Sequence, residues 1–539
     1  MRRMICFCRR HHVLVGSLLV AIGYLLADIG WRDSGKAVLV YALGAFALSS
    51  PRLPSRLRAL LVIVWRFTFV ADLGIRALLL AIYQTKPDTV LVVEAVSNTT
   101  SEESLEFLMQ SWHALAYYLG GAALLAALLT LIDAPYRRAH LPGPRTTLAV
   151  AVLFLALHAN PTFRKSDPLY FWPSQIAQVH GFQQNVEQLR AKRDIARAKL
   201  ADWSPAYDGP AQHTVGIVIG ESTSRWNWQL YGYARDTTPL LQAASAKLMV
   251  FKDVIAATSG TVSSFRYMFT PMAIDQPLQD EETPSVLMLA RAAGYKIFWI
   301  SNQHDRYINP RFAEEADVVR LLNVGGRRGD RHLDDSLIPE WVAALHDPAP
   351  RKLIIVHLLG AHPHYELRYP EAFGHYGKAE DSISLELKSR GRMPWICVAR
   401  DHYDNAMRYQ DSVISQLLSN FQQLSGSSGA FLYTSDHAQE VGHTRNFAGH
   451  SAEMPGLVVP LIMWMKRPPP AEVEREMEQR PFQNDVLDWT LLDLLDIQTR
   501  HDQPQLSLID AAFQPRVRRL QSGKVRPGGT DPDDLPVVP

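Results

Sequence analysis

Three short stretches of the 539-residue chain carry side chains whose types and neighbours suit chemistry. At the end of the apolar run TVGIVIG stands Glu221, followed by the helix-capping series Ser222, Thr223 and Ser224. The run AFLYTS ends at Ser435 and leads at once into Asp436 and His437, an oxygen and a nitrogen donor at one strand end. That pairing suits a divalent metal such as zinc. Residues 256–270, AATSGTVSSFRYMFT, read as a hydroxyl-rich loop with a central glycine and an apolar helical stretch behind it. A Thr or Ser at such a helix start sits beside backbone N–H groups able to hold a phosphate. The hydroxyl needs activation, which a metal bound by Glu221, Asp436 and His437 would give by stabilising the alkoxide. Each stretch taken singly is also an ordinary capped turn, so the chemistry depends on their being brought together.

A sheet is the element that would do so. From residue 214 the runs TVGIVIG, LMVFKDVI, KIFWIS, KLIIVHLL, AFLYTS and LVVPLIM alternate with helical segments. Continuous apolar strands between helices predict an α/β domain, taken as 213–515, around a mostly parallel central sheet. In such sheets ligands gather at the carboxyl ends of the strands, where Glu221 and Asp436 fall. The Pro- and Gly-rich stretch 516–539 is expected to be a disordered tail.

Ahead of this domain the composition changes. Apolar runs at about 13–29, 36–49, 59–83, 112–132 and 146–160 are each near the length needed to cross a bilayer. They predict a transmembrane domain of five helices over 1–160. A signal peptide is the rival reading of the first run, but more apolar runs follow and no small-residue cleavage site does. Arg2, Arg3, Arg9 and Arg10, then Arg52, Arg56 and Arg58, then Arg137, Arg138 and Arg145 all fall on one side of the predicted spans. By the positive-inside bias that side is the cytoplasm, so 84–111 and everything past 160 lie outside it. Residues 161–212 read as an amphipathic linker, with Ile176, Val179, Phe182, Val186, Leu189 and Ile195 at roughly helical spacing for a membrane surface.

The charge balance, 55 Lys plus Arg against 54 Asp plus Glu, argues against a nucleic-acid binder. Only three cysteines are present, Cys6, Cys8 and Cys397, which leaves no pair to staple the α/β domain.

Across the whole chain the motifs GESTSRWNWQLYGYARDTTPLL (220–241), the Thr261, Ser264 and Met268–Thr270 pattern, FWISNQ (298–303), GAHPHYELRYP (360–370), YDNAMRYQD (403–411) and SDHAQEVG (435–442) occur in order. In these the chain resembles the membrane-bound phosphoethanolamine transferases of the alkaline phosphatase and sulfatase superfamily. The resemblance implies that Glu221, Asp436 and His437 bind zinc, one ion or two, and that Thr261 is the nucleophile. Counting forward from the glycine selects Ser263 instead. His362 matches the family histidine that contacts the transferred group or a second metal and helps protonate the leaving oxygen; a histidine merely hydrogen-bonded at a strand end is the plain alternative.

The loop EAVSNTTSEESLEFL (94–108) resembles the one in which the family contacts the ethanolamine head group, through Thr99 or Asn98 and Glu103, although a solvated acidic loop would look the same. The lipid A members carry periplasmic disulfides and a histidine just before the Val-Pro of the last core strand. Here the matching position is Val458; His450, eight residues earlier, is its candidate substitute and with it a candidate substrate contact, or has no role at all. These departures look more like the lipopolysaccharide-core members.

The implied function is transfer of phosphoethanolamine from phosphatidylethanolamine to a cell-surface glycolipid, lipopolysaccharide core sugar or lipid A, through a phospho-threonine intermediate. The expected place is the bacterial inner membrane, with the catalytic domain in the periplasm. The rivals are a phosphoglycerol transferase, a phosphodiesterase or sulfatase-like hydrolase, and a catalytically silent membrane scaffold. No C/S-x-P-x-R sulfatase signature stands near 261.

Overall fold

The computed structural model describes residues 12–27, 29–83, 86–98, 101–133, 143–271, 283–303, 308–323, 333–519 and 525–526. They form two compact units: one made of Met1–Val93 and Leu108–Phe182, the other of Glu94–Phe107 and Gln183–Pro539.

The smaller unit is helical, and each of the five apolar runs falls on a helix: α1 (His12–Leu26), α2 (Trp31–Leu48), α3 (Ser55–Tyr83), α4 (Ser101–Asp133, which enters this unit at Leu108) and α5 (Pro144–His158). Among the described residues one segment, Ser111–Thr130, is long and apolar enough to cross a membrane by length and composition. Leu14–Leu26 and Pro144–His158 are shorter apolar helices. The inner faces pack around Tyr24, Tyr41, Trp65 and Phe69, whereas Leu26, Phe67, Tyr117, Leu124 and Leu155 stay largely exposed. Apolar side chains turned outward on several helices of one unit are what a lipid environment requires of a helical protein.

In the larger unit a seven-stranded sheet holds β1 (His213–Gly220), β2 (Met249–Phe251), β3 (Lys296–Ser301), β4 (Val318–Leu321), β5 (Arg351–His357), β6 (Gly429–Ser435) and β7 (Leu461–Met465), in the order β2-β7-β6-β1-β5-β3-β4. Strand β1 is central and parallel to β5 and β6. All eight of its residues are buried, because the sheet is covered on both faces, and this is why the run is apolar without alternation. One core contains the helix Thr261–Phe269; another contains the long helix Pro394–Leu424.

The largely parallel sheet expected from the sequence is present, with three differences. LVVPLIM joins the central sheet only from Leu461, and β7 runs antiparallel to β6 and β2; Pro460 has no N–H to give a ladder. LMVFKDVI breaks at Lys252 and Asp253 into two short strands, Met249–Phe251 and Val254–Ile255. The edge strand Val318–Leu321 is only partly buried, so it lacks the apolar run that would announce it. The linker expected at 161–212 contains one long helix, Pro168–Ala198.

The expected tail at 516–539 begins too early, since Arg518 is buried and forms a two-pronged ion pair with Asp253 at 2.8 Å from each oxygen. Residues 518–519 also pair with 525–526. Residues 520–524 and 527–539 lie outside the described residues. Cys397 is buried and free, as the cysteine count led one to expect.

Candidate metal and phosphoryl-transfer site

Strands β1 and β6 are parallel neighbours in a register that aligns Gly220 with Ser435. Their next residues therefore leave the sheet side by side, and Glu221, Asp436 and His437 converge there with one potential ligand atom each within 4.8 Å of the others. The His437 Nε2 lies 3.3 Å from Glu221 Oε1 and 3.4 Å from Asp436 Oδ2.

Hydrogen bonds fix each group. Asp436 Oδ1 accepts from the backbone N–H groups of Ser222 (3.2 Å) and His437 (2.7 Å). Glu221 Oε1 accepts from Ser222 Oγ at 2.7 Å, and Ser222 Oγ in turn accepts from Gln439 Nε2 at 2.8 Å. Ser222 itself sits at φ +61°, a left-handed conformation that these contacts hold in place.

The donor set fits a divalent cation. The His437 Nδ1 is 3.0 Å from the Ala438 carbonyl, an arrangement in which Nδ1–H donates and Nε2 keeps its lone pair for a ligand. Asp436 Oδ2 is buried with no hydrogen-bond partner, a costly condition that coordination would relieve. Burial and the neighbouring Glu221 charge push the Asp436 carboxyl well up. Burial also opposes charge on Glu221, but His437 outweighs it and holds that carboxyl well below its ordinary range. Against its own desolvation, His437 is pushed up to about 9 by the two carboxylates. Two carboxylates and an imidazole thus share one dry space, whose charge protons or a cation must balance.

The hydroxyl-rich loop meets this cluster. Thr261 opens the helix Thr261–Phe269, and no side chain caps that end at Gly260. Its Oγ1 donates to Glu221 Oε2 at 3.1 Å and lies 3.4 Å from His437 Nε2. Ser264 points the other way and bonds to Thr258 Oγ1 at 3.1 Å, bracing the loop. Ser263 is half-buried, about 200° around the helix from Thr261.

His362 follows β5 in a loop pressed onto Glu221: the Ala361 N–H donates to the Glu221 carbonyl at 3.0 Å. Gly360 has φ +61°, and a Cβ there would come within 2.4 Å of that carbonyl. Asp334 anchors the same loop by accepting from the N–H groups of Leu359 (2.8 Å) and Gly360 (2.9 Å). His362 is partly exposed, and its positive charge when protonated helps keep Glu221 ionised. His450 stands beside His437, ring centroids 4.8 Å apart, with Nδ1 at 2.8 Å from the Ser259 carbonyl. Val458 is a fully buried core residue that bridges to Ile255. Thr99 and the Glu103 side chain lie outside the described residues, as does the Asn98 side chain.

A feature that sequence reasoning did not single out is Glu106. It belongs to the larger unit and reaches Arg368 at 2.5 Å. Arg368, itself buried, donates to the carbonyls of His362 (3.0 Å) and Pro363 (2.8 Å). Arg368 was visible in the RYP motif, but its partner lies 262 positions away, beyond the reach of any local pattern.

Residues 213–497 match the family described as Sulfatase. The chain is 27% identical to the phosphoethanolamine transferase EptC of Escherichia coli K12, over 96% of this chain and 94% of that protein. The C-terminal periplasmic domain of E. coli EptC, solved in complex with Zn, superposes with a TM-score of 0.56 at 27% identity, covering 62% of this chain and 98% of that domain. The integral membrane lipooligosaccharide phosphoethanolamine transferase A (EptA) of Neisseria meningitidis gives a TM-score of 0.56 at 16% identity, over 92% of this chain and 99% of that one, a likeness of fold.

Proposed function

The chain belongs to the sulfatase family, in its phosphoethanolamine transferase branch, and from that premise we propose that it moves phosphoethanolamine from phosphatidylethanolamine to a surface glycolipid, a lipopolysaccharide core sugar or lipid A. The observation that carries the reading is the position of Thr261 Oγ1, at a helix N-terminus and 3.1 Å from Glu221 Oε2.

Glu221, Asp436 and His437 would hold a zinc ion, one or with a second nearby. When bound, zinc supplies Lewis acidity that lowers the cost of charge on the Thr261 oxygen. Glu221 Oε2, already the acceptor of the Thr261 hydrogen bond, would orient the Thr261 oxygen, whose proton would pass to water as Oγ1 attacks phosphorus, since a carboxyl held so far below its ordinary range is a poor base. The uncapped N–H groups at the start of the Thr261–Phe269 helix face the phosphoryl oxygens. Diacylglycerol leaves with a proton from the His362 side, giving phosphoethanolamine esterified to Thr261. An acceptor hydroxyl or phosphate then attacks that phosphorus, a hydroxyl giving its proton to the His362 side, while Thr261 Oγ1 leaves and regains a proton from water, so one hard displacement is split into two easier ones. Donor and acceptor are both lipid-borne. A multi-pass anchor in the inner membrane, with this unit in the periplasm, would keep the site at a high effective concentration of each.

Intact mass spectrometry of the full chain, incubated with zinc and phosphatidylethanolamine, tests the reading. One phosphoethanolamine adduct mapped to Thr261 and absent from Thr261→Ala is the expected result. An adduct on Ser263 would move the nucleophile. Steady release of free phosphoethanolamine without an acceptor would favour a phosphodiesterase, and no adduct on a zinc-loaded chain would favour a silent scaffold.

A further inference from the structure

The smaller unit contains a cavity of about 380 Å³ whose wall is strongly charged, and nothing in the proposed transfer uses it. That volume lies in the range of roughly 300–1,000 Å³ typical of ligand sites. Its walls come from residues 24–37, 72–88 and 161–171. These are the connection from α1 to α2, the end of α3 and the stretch after α5, so the cavity lies at one end of these antiparallel helices. It is the end opposite the arginine clusters, the one expected to face outward, at the depth where the head groups of a bilayer lie.

Four cations, Lys36, Arg76, Lys86 and Lys165, line it with three carboxylates, Asp33, Asp72 and Asp88. The deepest group is Asp72, which is 1% exposed. It accepts from Tyr24 OH (2.5 Å), Arg76 Nε (2.8 Å) and Trp172 Nε1 (2.9 Å). Arg76 is thereby locked in place, with its guanidinium 3.8 Å from the centre of the Phe171 ring. Toward the rim Asp33 pairs with Lys36 (3.1 Å) and Lys86 (2.7 Å), and Asp88 pairs with Lys165 (3.3 Å). Ile29, Leu80 and Phe171 supply apolar surface in the same space.

From this arrangement we propose that the cavity is a binding site for the head group of a zwitterionic phospholipid, separate from the metal cluster. Cations held by fixed carboxylates suit a phosphodiester, and the rim carboxylates suit an ammonium group within reach of that phosphate. The apolar wall receives the first carbons of the glycerol and acyl chains. A free phosphate finds no use for that wall, carries more negative charge than a phosphodiester and brings no ammonium to offset the three carboxylates. The proposal depends on this unit lying in a bilayer and stands whether or not the chain transfers phosphoethanolamine.

The test is native mass spectrometry of the full chain in detergent, in the Thr261→Ala background so that no lipid is consumed. Phosphatidylethanolamine, phosphatidylglycerol and inorganic phosphate are added in turn. Phosphatidylethanolamine is expected to be retained in preference to phosphatidylglycerol, to survive excess phosphate and chelation of zinc, and to be weakened about tenfold by Lys36→Gln with Lys86→Gln. Lys165→Gln, at a side chain 60% exposed, is a second variant that leaves the packing untouched and should weaken retention in the same direction. Equal retention in all variants, or of both lipids, overturns the proposal in favour of unspecific lipid. Displacement by phosphate makes it an anion site, and loss on chelation assigns the lipid to the metal cluster.

Discussion

On the proposed reading the chemistry turns on Thr261, whose hydroxyl lies 3.1 Å from Glu221 in the candidate metal cluster, whereas the sequence left Ser263 as a rival. The difference between the two is one of helix geometry. Residues 261 and 263 project about 200° apart on a helix, so both cannot face one cluster. Thr261→Ala is expected to lower turnover on the order of 10³-fold or more, whereas Thr261→Ser, which keeps the oxygen, retains measurable turnover in the same lipid-transfer assay. Glu221, Asp436 and His437 were legible because donors sat at the ends of two apolar runs. That they meet depends on the β1–β6 register, which no local pattern encodes. His450 was singled out as a stand-in for the histidine expected at the Val458 position, and the loop after β6 sets it beside His437, which its distance along the sequence from Val458 could not announce.

At the scale of elements, the loop after β5 is a rigid support for His362. Gly360→Ala forces a Cβ into the Glu221 carbonyl at a positive φ and should cost roughly 1–3 kcal/mol of stability. Zinc affinity, measured by competition with a chromogenic chelator, is expected to fall in parallel, because the clash falls on the backbone of a ligand. On the far side of the same loop, Glu106→Gln removes the charge that holds Arg368 against the His362 carbonyl. A positioning role predicts a fall in kcat of about tenfold with little change in KM, and partial recovery in Glu106→Asp; equal changes in both parameters would mean a substrate contact instead. Strand identity was readable where both faces are buried, as in β1 and β5. It failed for the partly exposed edge strand β4; β7 was read as a strand, but its antiparallel direction is set by its neighbours and not by its composition.

Two of the buried charge problems in the larger unit bear on the stability of the whole chain. The first is the metal cluster: a ligand that binds only the folded chain stabilises it by mass action, so stripping zinc from the full chain should lower its unfolding temperature by several degrees, reversibly on re-addition. The second is Glu315, in the larger unit, whose carboxylate accepts from Ser285 Oγ in a buried setting. Desolvation raises its pKa from 4.5 to about 7, although Ser285, Arg311, Arg193 and Arg197 all pull the other way. Between these two values the folded chain holds a proton that the unfolded chain has released, so stability falls as pH rises through that window. The contribution is fully present below the lower value and lost above the upper one. A shift of that size corresponds to about 3 kcal/mol. Glu315→Gln keeps a hydrogen-bonding side chain of the same shape without the titrating group. The difference in denaturation midpoint between Glu315→Gln and wild type, measured from pH 4 to pH 8, isolates this group from every other that titrates there. The variant should gain on the wild type steadily through the window, and a difference that stays flat would show that Glu315 is already ionised in the folded chain.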